Sequence, residues 1–224
     1  MHIEPGIVNG AKIGLSYLTS AAAVGITFKF IAQSFFRGFS SLGVAFKCIL
    51  TTLFVFSFFE VLPHYPLGVS EVHLIFGSTL FLLFGVGATA FGLVAGLFLQ
   101  GIIFSPSDLP QLYINISTLL FPLFAVHFVA KKIIRKNLAY KDLSYKQVLS
   151  LTATYQGGTI AWVAFWCFYG QGIGIETINN VVIFGIGYSS VIAIECLLDL
   201  GVLAMAKRYH NRIATNFLNS RLVA

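Results

Sequence analysis

The first two residues of the chain, Met1 and His2, have the donor types to bind a metal ion. A Met-His terminus offers the α-amine, the backbone amide nitrogen of His2 and Nδ1 of its imidazole ring. These nitrogens close two fused chelate rings that are nearly coplanar and leave a further position open, which suits Ni(II) or Cu(II). We expect any residue placed before Met1 to remove the site, because it would convert the amine into an amide. The alternative is that His2 is an ordinary terminal residue.

A second histidine, His73, is a candidate for the remaining donor. It begins the third apolar segment, and a titratable residue at the edge of a membrane span is a functional candidate. The turn-forming sequence Glu4-Pro5-Gly6 would let the N-terminal segment fold into the helices and approach His73. The alternative for His73 is a helix-end residue bonded to lipid headgroups or backbone.

The composition indicates an integral membrane protein, so membrane-spanning helices must position these residues. Of the 224 residues, 57% are hydrophobic and only 10% are charged, whereas soluble domains have about 25% charged residues. We predict an all-α bundle of about seven transmembrane helices that forms a single membrane-embedded domain over residues 1–224. The apolar segments are 8–32, 41–60, 72–86, 88–105, 113–134, 147–169 and 179–205.

Glycine and charge positions refine this topology. The apolar stretch from His73 to Phe104 is too long for one upright span, and Gly85-Val86-Gly87 predicts a break within it. With the N-terminus outside, all 14 Lys and Arg residues except Lys12 fall on the inner side. The positive-inside rule therefore predicts an outside N-terminus and an inside C-terminus. The net charge of +6 then reflects basic inner loops and not a nucleic-acid partner.

The residues at several positions together resemble the CbiM/NikM family, the substrate-binding permeases of energy-coupling-factor cobalt and nickel transporters. The resemblance rests on Met1-His2-Ile3-x-x-Gly6, His73-Leu74, Gln100 and Asn115. It implies a seven-helix protein of the bacterial inner membrane in which Met1, His2 and His73 bind Ni(II) or Co(II). The metal would be transported cargo, with no cofactor and no enzymatic activity. Gln100 and Asn115 become candidate supporting residues of the kind that orient metal ligands.

Other positions have weaker assignments. His64, in the outer loop Pro63-His64-Tyr65-Pro66, could help to capture metal or could simply be solvated. Glu195 and Asp199 lie one turn apart on the last helix, and Glu195 resembles an acidic residue of the family. Because buried carboxylates are costly in a membrane, we expect both to have polar partners and to be either coupling residues or a structural pair. Tyr188 stands where many members of the family have a histidine.

The sequence lacks the GxxxxGK[ST] motif, so it cannot hydrolyse ATP at a Walker-type site. The resemblance implies a transmembrane coupling subunit and ABC-type ATPase subunits as partners, with a small accessory membrane subunit as a further candidate. The basic stretch from Lys131 to Lys146 would contact anionic lipid or dock on the coupling subunit. The alternatives are a vitamin-binding permease of the same transporter type and an intramembrane metalloenzyme, although the latter lacks an HExxH motif.

Overall fold

The computed structural model describes residues 3–36, 40–135 and 138–209. These residues form seven α-helices, which confirms the predicted all-α class and helix number, together with one small β-hairpin. The helices are α1 (Gly14–Phe36), α2 (Ser41–Glu60), α3 (Gly77–Phe84), α4 (Val86–Ile103), α5 (Leu112–Ile133), α6 (Tyr145–Gln171) and α7 (Ile175–Tyr209). The antiparallel strands are β1 (Tyr65–Leu67) and β2 (Ser70–Val72). Short 3-10 helices cover Gly10–Ile13, Pro106–Gln111 and Tyr140–Asp142.

Five of these helices, α1, α2, α4, α5 and α7, are long and apolar enough to cross a membrane. Helix α6 has 27 residues and therefore a comparable length of about 40 Å. Its buried face includes the polar residues Thr152, Gln156 and Thr159, which explains its lower hydropathy. The chain is thus a multi-pass membrane protein whose sixth helix has a polar interior face.

The third helix is much shorter than the predicted segment 72–86. Helix α3 has eight residues, which gives it a length of about 12 Å. The chain is paired in the β-hairpin up to Val72, and the backbone of Phe76 is left-handed with φ 55°. The helix therefore begins only at Gly77. The predicted break is confirmed at Gly85, which has φ 85° and separates α3 from α4.

Small residues allow α4 to pack closely against α2. A Cβ atom on Gly92 would lie 2.5 Å from Oγ1 of Thr51, and one on Gly96 would lie 2.7 Å from Val55. The hydroxyl of Thr51 donates a 2.8 Å hydrogen bond to the carbonyl of Ala88 across the interface. This Gly-xxx-Gly spacing is typical of close helix contacts in membranes. The hairpin and α3 lie between α2 and α4 in the sequence, so the close α2–α4 contact fixes both ends of this segment.

Candidate functional site

The N-terminal segment is anchored to the bundle through Ile3. Its side chain is fully buried, and its backbone N–H donates a 2.9 Å hydrogen bond to Oδ1 of Asn115 on α5. Ile3 also forms an antiparallel bridge with Ser70 of β2, and the N–H of Glu4 donates to the carbonyl of Val69 at 3.2 Å. Residue 3 is therefore held between α5 and the hairpin that precedes His73.

The end of α6 supports the same segment. Lys12 donates a 2.8 Å hydrogen bond from Nζ to the carbonyl of Gly170. A Cβ atom on Gly170 would lie only 2.1 Å from the carbonyl oxygen of Ile7. Glycine at this position is therefore what allows the N-terminal segment to lie against α6.

His73 lies just after β2 and is 1% exposed. Its Nε2 is 3.0 Å from Oε2 of Glu71, and its ring makes an edge contact with Phe59 at a centroid distance of 5.2 Å. An ionised carboxylate only accepts hydrogen bonds, so Nε2 is the donor to Glu71. A neutral ring with this tautomer would have its lone pair on Nδ1. The sequence placed His73 at the start of the third span, whereas the structure places it in the non-helical segment 73–76 between β2 and α3.

His64 is exposed but stacks on His73. The two rings are 5.0 Å apart and nearly parallel, with an interplanar angle of 15°. Nδ1 of His64 lies 3.2 Å from the carbonyl oxygen of Leu62. The structure thus brings His64 to His73, although stacked rings do not direct their nitrogens at one common point.

Gln100 and Asn115 are both buried and line a cavity of about 10 Å³ together with Asp108. Nε2 of Gln100 donates to the hydroxyl of Ser105 at 3.0 Å. Among the described residues, Oε1 of Gln100 and Nδ2 of Asn115 have no hydrogen-bond partner. Each amide therefore has one polar group available next to the anchored N-terminal segment, with room for roughly one water-sized group.

Three acidic residues surround this end of the molecule. Burial raises the pKa of Glu4 above its ordinary value, and the negative charges of Glu71 and Asp108 raise that pKa further. The three carboxylates are thus close enough to interact electrostatically. They produce a local negative potential that attracts cations.

Glu195 on α7 holds the backbone that follows His73. It is fully buried, and its Oε1 accepts hydrogen bonds from the N–H groups of Ile75 at 2.6 Å and Phe76 at 3.0 Å. Its Oε2 accepts a hydrogen bond from the side-chain amide of Gln156 on α6. Glu195 therefore satisfies backbone donors that no helix or sheet satisfies in this segment.

Asp199, one turn further along α7, binds the beginning of α3. Its Oδ2 accepts a 2.7 Å hydrogen bond from the hydroxyl of Ser78 and another from Thr152 of α6. Its Oδ1 accepts a hydrogen bond from Thr79. Both carboxylates lie at the N-terminus of α3, where the helix dipole favours negative charge. The expected polar partners of Glu195 and Asp199 are therefore present.

Two further residues belong to this network: Gln156, which was not selected from the sequence, and Tyr188, which the sequence indicated only as a difference from the family. Gln156 of α6 links Glu195 to Tyr188, whose hydroxyl donates to the Gln156 side-chain oxygen. Tyr188 is fully buried and stacks on Phe184. The available signal was a glutamine and nearby threonines inside an otherwise apolar segment, because such groups need partners in a membrane.

The structure brings His73, His64, Asn115 and the N-terminal segment to one end of the bundle. The predicted ligands Met1 and His2 lie outside the described residues. Within residues 3–36, 40–135 and 138–209 there is no group of three or more His, Cys, Asp or Glu side chains arranged to hold a metal.

The family of the chain follows from its sequence. Residues 2–213 match the family model CbiM, described as a cobalt uptake substrate-specific transmembrane region. The chain belongs to this family. The resemblance stated from the sequence is thereby confirmed, and the chain is a component of a membrane transport system and not an enzyme.

Solved structures share the fold. One crystal structure, described as a transition metal transporter, is 16% identical in sequence and has a TM-score of 0.62, with 95% of each chain covered. A second, described as a truncated transition metal transporter, is 18% identical with a TM-score of 0.54; 93% of this chain and 97% of that chain are covered. No curated protein sequence matches the chain.

Proposed function

We propose that this protein is the substrate-capturing subunit of a nickel or cobalt uptake transporter in the bacterial cytoplasmic membrane. The family to which it belongs is described as a cobalt uptake substrate-specific transmembrane region. The residues at the end of the bundle that contains His73 and Asn115 support a divalent transition metal as the cargo. A transmembrane coupling subunit and ATPase subunits would supply the energy, because the chain has no Walker-type nucleotide site.

The proposed ligands are the Met1 amine, the amide and ring nitrogens of His2, and Nδ1 of His73. The anchoring of Ile3 is the observation that carries this proposal. Ile3 is bonded to Asn115 and bridged to Ser70, and consecutive Cα atoms are about 3.8 Å apart. Ile3, the residue that follows His2 in the sequence, is therefore fixed beside the strand that leads to His73.

Neighbouring groups fit supporting roles around such a site. Glu71 would hold the His73 ring with Nδ1 as its coordinating nitrogen, as carboxylates commonly do for metal-binding histidines. Asn115 would fix the peptide that follows His2, and Gln100 would bind a polar group in the adjacent cavity. The acidic residues Glu4, Glu71 and Asp108 would concentrate cations at the entrance.

Helix α7 has the contacts expected of a coupling element. Glu195 and Asp199 bind the segment between His73 and α3. Near its other end, Lys207 donates hydrogen bonds from Nζ to the carbonyls of Lys141 and Leu143 at 2.7 and 2.8 Å. A displacement of the inner loop by a partner would therefore be transmitted along α7 to the His73 segment, and this would release metal inward.

The vitamin-binding alternative has less support. At the end of the bundle that contains His73 and Asn115, the cavity beside Gln100 has a volume of only about 10 Å³, whereas sites for organic ligands usually have about 300–1,000 Å³. The metal proposal needs no such volume, because its ligands are main-chain and side-chain nitrogens.

The test is a calorimetric titration of Ni(II) and Co(II) into untagged protein whose free Met1 amine has been verified by intact mass and N-terminal sequencing. A matched variant has one alanine before Met1, and its control has one alanine after Ala224. We expect one-to-one binding to the untagged protein and the control, and loss of binding in the N-terminal variant. Equal binding by all forms, or binding by none, would contradict the proposed site, and the two titrations would rank the metals.

A further inference from the structure

A groove is present at the opposite end of the bundle, between the end of α5 and the start of α6. Its volume is about 580 Å³, within the range of about 300–1,000 Å³ that is typical of small-molecule sites. Ile133 and Leu138 contribute apolar surface, while Arg135 and Lys146 contribute positive charge. The groove therefore combines an apolar wall with cationic groups.

The charges in the groove are available to bind an anion. The stretch from Lys131 to Lys146 contains one acidic residue, Asp142, and it is paired with Lys141 at 3.0 Å. In the parts of the chain that the structure describes, neither Arg135 nor Lys146 forms an ion pair, and both are exposed. Their positive charges therefore lack a protein counter-charge among those residues.

The position of Lys146 is not explained by helix stability. It is the second residue of α6, where the positive end of the helix dipole disfavours a cation. The start of α6 is already capped by the reciprocal hydrogen bonds of Ser144 and Gln147. A negative group close to Lys146 would offset this unfavourable interaction with the helix dipole.

The groove is also held in shape before any ligand binds. The side chain of Gln147 donates a 2.7 Å hydrogen bond from Nε2 to the carbonyl of Ile133. This bond ties the first turn of α6 to the last turn of α5 across the groove. A preformed site loses less conformational entropy on binding.

We propose that this groove binds the headgroup of an anionic phospholipid. The phosphate would lie between Arg135 and Lys146, and the upper part of an acyl chain would lie against Ile133 and Leu138. The groove follows directly after the apolar part of α5, at the level where basic pockets between helices meet lipid headgroups. This inference is independent of the metal site.

The experiment is native mass spectrometry of the full-length protein released from nanodiscs that contain equal amounts of phosphatidylglycerol and phosphatidylcholine. We expect retention of one phosphatidylglycerol and about a tenfold preference over phosphatidylcholine. Arg and Lys make charge-assisted hydrogen bonds to the phosphate of either lipid, but only phosphatidylglycerol has a net negative charge, whereas the choline ammonium would be repelled by the two cationic side chains. The double variant R135Q/K146Q should lose this preference. The matched control K131Q/K132Q removes the same charge from exposed positions on α5 and should keep it.

Two further arms keep the result interpretable. The swap R135K/K146R preserves both charges and should retain the lipid, and a monodisperse elution profile will establish that each variant is folded. Equal loss in both glutamine variants would mean only diffuse attraction to an anionic surface, and retention in R135Q/K146Q would place the lipid elsewhere; either overturns the proposal. Displacement of the lipid by millimolar inorganic phosphate would identify a soluble anion as the ligand and would also overturn it.

Discussion

The backbone N–H of Ile3 and the side-chain oxygen of Asn115 are joined by a 2.9 Å hydrogen bond that spans 112 positions of the sequence. Both groups are buried, so the bond cannot be replaced by one to bulk water. It fixes the start of the described chain to α5, immediately next to the hairpin that leads to His73. The amide side chain of Asn115 therefore supports the position of the N-terminal segment, together with the bridge from Ile3 to Ser70 and the contacts with the end of α6.

Substitution of Asn115 by alanine should weaken metal binding. The buried N–H of Ile3 would lose its acceptor, at a cost of about 1–3 kcal/mol, and we expect metal affinity to fall by about 10- to 100-fold, as for other supporting residues. Thr118→Val on the same helix is the matched control, because the buried Thr118 hydroxyl donates to the carbonyl of Ile114 within its own helix. Calorimetric titration of both variants checks this, and equal affinities would contradict the role assigned to Asn115.

Substitution of Gly170 by alanine should displace the N-terminal segment without touching any proposed ligand. The new Cβ would lie 2.1 Å from the Ile7 carbonyl oxygen, and such overpacking costs about 1–3 kcal/mol. Gly157→Ala on the same helix meets nothing within 4 Å and is the control. We expect a lower melting temperature and weaker metal binding only for Gly170→Ala. Unchanged metal affinity in this variant would show that the segment can bind metal without its contact to α6.

The two stacked histidines should differ sharply in their effects. His73→Ala removes a proposed ligand, so binding should become undetectable in the calorimeter. His64→Ala removes only a stacked neighbour, and we expect the affinity to stay within about tenfold of the original value, the lower limit for supporting groups. Equal and complete losses would make His64 a ligand as well, whereas full binding by His73→Ala would exclude that residue from the site.

Removal of the Glu195 carboxylate should affect both stability and binding. Glu195→Ala leaves the buried N–H groups of Ile75 and Phe76 without an acceptor, at about 1–3 kcal/mol each. Glu195→Gln keeps an accepting oxygen and should be intermediate, while Glu176→Gln, at an exposed position on the same helix, should have no effect. Thermal unfolding measures the contribution of Glu195 to stability, and metal titration measures its contribution to binding. A destabilised Glu195→Ala protein that binds metal with unchanged affinity would reduce Glu195 to a structural residue.

Features that depend on neighbouring residues were predicted well from the sequence. The break at Gly85 follows from glycines inside a long apolar stretch, and the ends of α4 at Ile103 and of α6 at Gln171 lie within two residues of the predicted segment ends at 105 and 169. The membrane class follows from the scarcity of charge. These features depend on local sequence and composition, so they can be predicted without knowledge of the tertiary contacts.

Features that depend on distant partners were not predicted. The apolar sequence from Val72 to Phe76 suggested a helix, but no helix forms before Gly77, because Ser70 to Val72 pair with β1 and because Glu195 accepts hydrogen bonds from the backbone of Ile75 and Phe76. Asn115 was selected through a family resemblance, and its actual partner could not be inferred from its position. The outside location of the N-terminus remains a prediction from charge distribution.

The dependence of the α3 entry on Glu195 and Asp199 has a consequence for biogenesis. An eight-residue helix is too short to be recognised as an independent span by the insertion machinery, so α3 must enter the membrane together with α4. The backbone donors at Ile75 and Phe76, which precede α3, then stay without the Glu195 acceptor until α7 has been synthesised. The proposed metal-binding end is therefore completed only when α7 has joined the bundle, and a product that lacks α7 would leave these two donors without that acceptor inside the membrane.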